Sequence, residues 1–179
     1  MNTPHENKAL IDRMYAAMNE NRVGVMEQYW TKDMVWAGPA GIGTKRGVAQ
    51  FENEVRDEFI RAFPDKVGVD RVRIAEGDWV AGAGWQDATH AADWLGIRAT
   101  GKPVAVRYMD FWRIEQGEDG QSRIAENWVM IDILGVLEQA GYNVRRVLEF
   151  VGSLPPSFFE DAAAQEAARA AAGVQRTSD

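Results

Sequence analysis

The 179-residue chain has no cysteine. Disulfides, thiolate catalysis and cysteine-held metals are therefore excluded. Histidine is nearly as scarce. His5 and His90 are the only two, so a histidine-rich metal centre is excluded and no metal is expected. Basic residues are outnumbered, 20 Lys and Arg against 27 Asp and Glu, for a formal net charge of −7. A phosphate backbone or an anionic membrane needs a basic face, so neither is an expected partner. No apolar run approaches the length that spans a bilayer, and the opening MNTPHENKAL has no apolar core of a signal peptide. The expectation is a cytoplasmic protein. Dinucleotide fingerprints, nucleophile elbows and metal-ligating helix motifs are also missing. Gly38–Gly43 is rich in glycine but lacks the strand–helix context of a phosphate cradle, and reads as a rim loop. Thr100-Gly101-Lys102-Pro103 is a turn entering a strand, with Lys102 in solvent.

What is present is ordinary globular composition, 46% hydrophobic and 26% charged, with seven Trp and seven Phe. That aromatic count suits either the wall of an apolar cavity or a bulky core. Thr3-Pro4-His5-Glu6 predicts a helix start, with Thr3 as N-cap and Glu6 closing a capping box. Leu10, Ile11, Met14, Tyr15 and Met18 then repeat at helical spacing. A short helix through Val25, Met26 and Tyr29 follows, closed by Trp30, and then a short strand Met34–Ala37. Gly47–Phe63 is a second long helix, with Phe51, Val55, Phe59 and Phe63 on one side and Pro64 as its stop.

After Pro64 the period changes to two. Lys66–Glu76, Trp79–His90, Pro103–Glu115 and Arg123–Ile131 are strands. In the first, Val67, Val69, Arg71 and Arg73 alternate against Val72 and Ile74. In the third, Val104, Val106, Tyr108, Asp110 and Trp112 share one face; Arg107, Met109, Phe111 and Arg113 share the other. Helices followed by a run of antiparallel strands is an α+β layout. Asp132–Ala140 is a short helix with Asp132 as N-cap and Gly141 just past its end. Asn143–Val151 is another, and the Ala-rich stretch Ala162–Gly173 is a good intrinsic helix former. The expected division is a domain over 1–142 and a helical extension over 143–179, with Gln175–Asp179 disordered.

Several residues can carry chemistry. Asp110, set among Tyr108, Phe111 and Trp112, is poorly solvated; desolvation would raise its pKa and make it a usable acid or base. Its structural alternative is an ion pair with Arg107 or Arg113. His90 ends a strand and is either a general acid or base or a hydrogen-bonded rim residue. Asn127 can donate to a carbonyl oxygen and help stabilise an enolate, or be a satisfied amide in the sheet. Trp36 enters the rim loop as a pocket wall. Tyr15 and Tyr108 offer hydroxyls or plain packing.

Thr89-His90, Leu95-Gly96-Ile97, Thr100-Gly101-Lys102-Pro103, Asp110, Arg113-Ile114, Glu126, Trp128, Asp132, Leu134-Gly135 and Gln139–Gly141 form a pattern. It resembles that of the SnoaL-like polyketide (ester) cyclases, members of the nuclear-transport-factor-two-like superfamily. The resemblance implies a cone: a curved, mostly antiparallel sheet packed on N-terminal helices around an apolar pocket, here with an extra C-terminal helix. It also implies a homodimer through the outer sheet face, with Arg107, Met109 and Phe111 as interface positions. The activity implied is cofactor-free acid–base chemistry on an aromatic or polyketide-like carbonyl compound: aldol cyclisation, isomerisation or dehydration. The family's catalytic Asp, which starts ring closure by taking a proton beside a carbonyl, falls at Val129. Its pocket His falls at Asp110. The expected site is then Asp110 as base with His90 as partner, lined by Asn127, Trp36, Tyr108, Val129 and Tyr15. The alternative is a ligand-binding or assembly module that kept the cone and lost the catalysis.

Overall fold

A computed structural model describes residues 3–155. The chain divides into two units, at Gly141/Tyr142. In the first, helix α1 (Pro4–Met18) starts at the capping box expected from sequence. Thr3 Oγ1 accepts from the Glu6 amide at 3.2 Å, and Glu6 Oε2 accepts from the Thr3 amide at 2.7 Å. Leu10, Ile11, Met14 and Tyr15 are its buried face. A single 3₁₀ turn (Val25–Gln28) leads into β1 (Trp30–Ala37). Trp30 therefore opens a strand rather than closing a helix, and β1 is twice as long as the predicted Met34–Ala37. Its extra residues pair with β6 at Trp30–Ile124. A two-residue strand β2 (Lys45–Arg46), not foreseen, pairs with the far edge of β1.

The predicted helix Gly47–Phe63 is continuous but uneven. It consists of α2 (Val48–Phe51), one wide i→i+5 turn (Glu52–Arg56) and α3 (Asp57–Ala62). The wide turn coincides with a buried ion pair, Arg56 Nε to Glu52 Oε2 at 3.3 Å. Such widened turns are frequent at functional sites.

Four long strands follow: β3 (Val67–Glu76), β4 (Trp79–Thr89), β5 (Pro103–Gln116) and β6 (Ser122–Ile131). The sheet order is β2-β1-β6-β5-β4-β3, antiparallel except for the β1–β6 pair. Burial along β5 alternates without a break from Val104 to Ile114, as the sequence reading required. β3 departs from its predicted alternation. Its pairing with β4 slips between Asp70 and Val72, a bulge. Val67, Val69, Val72 and Ile74 are therefore all exposed, while Asp70 turns inward with a side chain only 6% accessible.

The core lies between the helices and the inner sheet face. One cluster gathers α1, β1 and the α2 region around Trp36, Trp112 and Ile124. A second gathers Phe59, Phe63, Trp94, Val104 and Val136 at the other end of β5. Helix α4 (Ile133–Gln139) closes the first unit. Asp132 caps it, accepting from the Gly135 amide at 2.8 Å. Arg107 also binds Asp132, at 2.9 Å from Nε. Despite partial burial, which works the other way, these two contacts hold the Asp132 carboxyl below its usual range. The described part of the second unit contains α5 (Val144–Ser153), capped by Asn143. The Ala-rich stretch 162–173 and the tail 175–179 lie outside the described residues.

Candidate active site

Asp110 sits in mid-β5 on the inner face and is 8% exposed. Neither arginine proposed as its partner reaches it: Arg107 binds Asp132, and Arg113 binds Glu126 at 3.1 Å. Asp110 accepts instead from Asn127 Nδ2 at 2.8 Å. A buried carboxyl without a cation favours its proton. Burial pushes Asp110 up to about 7; the Asn127 hydrogen bond opposes this and the charge of Asp70 adds to it.

Asp110 lines a partly open cavity of about 90 Å³ between the inner sheet face and the helices. Met14, Trp30, Trp36, Phe51, Trp94 and Trp112 supply apolar wall. Trp36 can lie there because Gly38 is a glycine: a Cβ at 38 would stand 1.9 Å from the indole. Tyr15 and Val129 also line the cavity. Val129 pairs directly with Asp110 across the β5–β6 ladder. Asn127 lines it as well, but its amide hydrogens face Asp110, the Phe111 carbonyl at 3.1 Å and the Trp128 carbonyl at 3.4 Å. Its role in this geometry is to hold Asp110, so the expected donation to a substrate oxygen has no free hydrogen behind it.

Two expected residues lie elsewhere. His90 is 1% exposed and does not line the cavity. It stacks on Phe63 at 5.3 Å within the second core cluster. Asp110 pairs with Gly82, and His90 is eight residues further along β4, about 26 Å of strand contour at 3.3 Å per residue. The structure therefore does not bring His90 to Asp110. The backbone of His90 instead clasps the 90–102 loop, donating to Lys102 and accepting from Gly101. Tyr108 is buried but outside the cavity lining, and its hydroxyl donates to Asp70 Oδ1 at 2.5 Å. Burial raises the Tyr108 pKa, and donation to Asp70 raises it further, so it remains a phenol.

Asp70 escaped the sequence reading. It binds Tyr108 and Arg73, the latter at 2.6 Å, and Arg73 continues to Asp12 on α1. The guanidinium of Arg73 also lies 4.8 Å over the Tyr15 ring. The signal was in β4: two alternate inward glycines. A Cβ at Gly82 would stand 2.5 Å from Asp70 Oδ2. One at Gly84 would stand 2.9 Å from the Tyr108 hydroxyl and 2.0 Å from the Val69 carbonyl. Glycines inside a strand mark such close approach. Tyr15, against Tyr108 and Trp112, is raised chiefly by burial and then by the charge of Asp110, with Asp70 adding to it. Lys66 and Gln86 were also missed, and both line the cavity. Among the described residues, no cluster of His, Asp or Glu has the form of a metal site. No helix there is long and apolar enough to cross a membrane.

An inward carboxyl in a hollow between a curved six-stranded sheet and N-terminal helices defines the class, an α+β cone. The model of the SnoaL-like polyketide cyclase family matches residues 9–140, and the chain belongs to that family. No curated protein matches it. Among solved structures it is similar to AclR of Streptomyces galilaeus, a proposed hydroxylase. Identity is 26%, over 78% of this chain and 98% of AclR, with a TM-score of 0.64. IdmH of Streptomyces antibioticus, a proposed polyketide cyclase, is 23% identical over 77% of this chain and 100% of its own, with a TM-score of 0.65. TsrD of Streptomyces laurentii is 23% identical over 79% and 98%, also at 0.65. The last two establish the fold alone.

Proposed function

We propose that the protein is an acid–base enzyme for an apolar, aromatic or polyketide-like carbonyl compound, with Asp110 as the proton-transferring group. One observation carries this reading: a carboxyl buried without a cation faces an aromatic-walled cavity, a setting that pushes its pKa up to about 7. A group poised near the working pH can both take and return a proton. Removal of a proton beside a carbonyl, and its return elsewhere, is common to aldol closure, isomerisation and dehydration. Asn127 fixes the carboxyl through one oxygen, leaving the other for the substrate. The second reading, a binding module without chemistry, is favoured by Val129 at the family's catalytic position.

A model ketone separates the two. In deuterated buffer at pH 8, the wild type should accelerate exchange of the α-protons of 2-tetralone, read by mass spectrometry. Asp110→Asn should lower that rate by about 10²-fold or more while leaving tryptophan-detected binding in place. The base form gains occupancy as pH rises through about 7, so exchange should rise over the same range. Binding without exchange in the wild type would leave the module reading.

The active form is a homodimer paired through the outer sheet face. Nine large apolar side chains lie exposed there, each at least 40% accessible: Val67, Val69, Val72, Ile74, Trp85, Met109, Phe111, Trp128 and Met130. Such a patch exceeds what an isolated domain ordinarily exposes, and a second copy presents the same surface in return.

A further inference from the structure

The acid–base reading leaves a second ionisable group of the cavity unused. Lys66 is 2% exposed, yet among the described residues it forms no ion pair. Its ammonium donates to the Met18 carbonyl at the end of α1, at 3.2 Å. The groups around it are few. Arg56 and Glu52 come from the wide turn, and Glu52 is already engaged by Arg56 and by the Met26 amide at 3.1 Å. Glu54 lines the cavity but turns to Lys45 at 2.8 Å; Glu58 and Asp110 are the other carboxylates of the lining. Of the fully buried charges at this turn, two are cations and one is a carboxylate.

An uncompensated buried charge is costly. It is relieved in one of two ways: the amine loses its proton, or an anion arrives. Lys66 is built for both. Burial pulls its ammonium down to about 7, Arg56 adds to that, and Glu52 opposes it. An anionic ligand group entering the cavity would restore the proton and complete the charge balance.

We infer that Lys66, with Arg56 beside it in the cavity lining, forms a subsite for an oxyanion carried by an aromatic ligand, either a carboxylate or the enolate of a 1,3-dicarbonyl group. This rests on the cavity being the ligand site, and it narrows the substrate class from neutral ketones to acidic ones. Lys66 orients the ligand; the proton transfer stays with Asp110.

Benzoate and its neutral isostere benzamide test the subsite, with the cavity tryptophans as reporters. At pH 6 benzoate should bind at least tenfold more tightly than benzamide. That advantage should fall towards tenfold per pH unit above about 7, because the amine must then be reprotonated. The pH series is repeated in Asp110→Asn, which removes the other buried cavity group that titrates there; the preference and its pH dependence should persist. Lys66→Met should bind both ligands alike, and Lys66→Arg should keep the preference without its pH dependence. Equal affinities in the wild type would overturn the inference, as would a preference surviving in Lys66→Met. If Lys66→Met does not fold, the Asp110→Asn series decides: a ratio independent of pH overturns it. Failure of 2-tetralone exchange with the benzoate preference intact would dispose of the chemistry on neutral ketones and leave this subsite standing. The reverse result would do the opposite.

Discussion

Replacing Asp110 by Asn should change the pH dependence of folding stability. In the unfolded chain this carboxyl titrates at 3.8, and in the fold at about 7. Below 3.8 it is protonated in both states and contributes no difference. Between the two values the unfolded chain has released its proton while the folded protein retains it. Stability therefore falls by about 1.4 kcal/mol per pH unit, and it levels off above 7. The whole interval of about 3 units corresponds to about 4 kcal/mol, a large part of the 5–15 kcal/mol that typically separates folded from unfolded chains. The Asp110→Asn variant lacks this cost. Its new side-chain amide can still accept from Asn127, and the added hydrogens bring a pH-independent penalty of about 1–3 kcal/mol if unpaired. The stability of Asp110→Asn relative to the wild type should thus rise by about 4 kcal/mol from pH 4 to pH 8. Urea titrations at five pH values, followed by tryptophan fluorescence at one fixed protein concentration, measure this difference. The other titrating groups are shared by both proteins and cancel. A difference flat to within about 1 kcal/mol would refute the reasoning, since a carboxyl ionised at neutral pH in the fold has no raised pKa and no proton to return.

Two further outcomes follow from the same geometry. Phe111→Glu puts a charge in the middle of the exposed outer face, and light scattering should then find a monomer with unchanged far-ultraviolet circular dichroism; a persisting dimer would place the interface elsewhere. Gly84→Ala drives a Cβ to 2.0 Å from the Val69 carbonyl. The backbone must yield, and a loss of about 1–3 kcal/mol in urea is expected.

The legible parts of the fold were those set by local chemistry. The capping box of α1 and the Asp132 cap both stand where the residues put them. β5 alternates as written, which is why Asp110 was found facing inward from sequence alone. What failed was set by tertiary pairing. β1 begins at Trp30 because Ile124 of β6 is there to pair with it. The β3 bulge moves every later residue to the opposite face, and a strict period of two cannot foresee one inserted residue. Asp70 lies just before the slip and was missed because that reading left the inward face of β3 unassigned. His90 was placed beside Asp110 on family grounds, but the register of β4 and β5 puts it against Phe63. Lys66 precedes a strand beside Pro64 and Asp65, a context that reads as surface; only the packing of α1 and the wide turn around it makes it a buried amine.

The register also bears on what Val129 means. Val129 and Asp110 are opposite residues on one antiparallel ladder, so their Cβ atoms stand about 5 Å apart. If Asp110 has the role proposed for it, the carboxyl stands one strand over from the position the resemblance to the family's cyclases implies, and still in the cavity. A carboxylate beside an imidazole can share its proton. Asp110 has Asn127, which donates but neither accepts nor releases a proton at neutral pH. Neutral-range titration must then come from burial and from the charge of Asp70, which faces inward by the regular alternation of β3 ahead of its bulge and for which the two glycines of β4 make room. Under the role proposed for Asp110, Val129 leaves the ladder with a single carboxyl, and the inward Asp70 supplies the charge that, with burial, raises it.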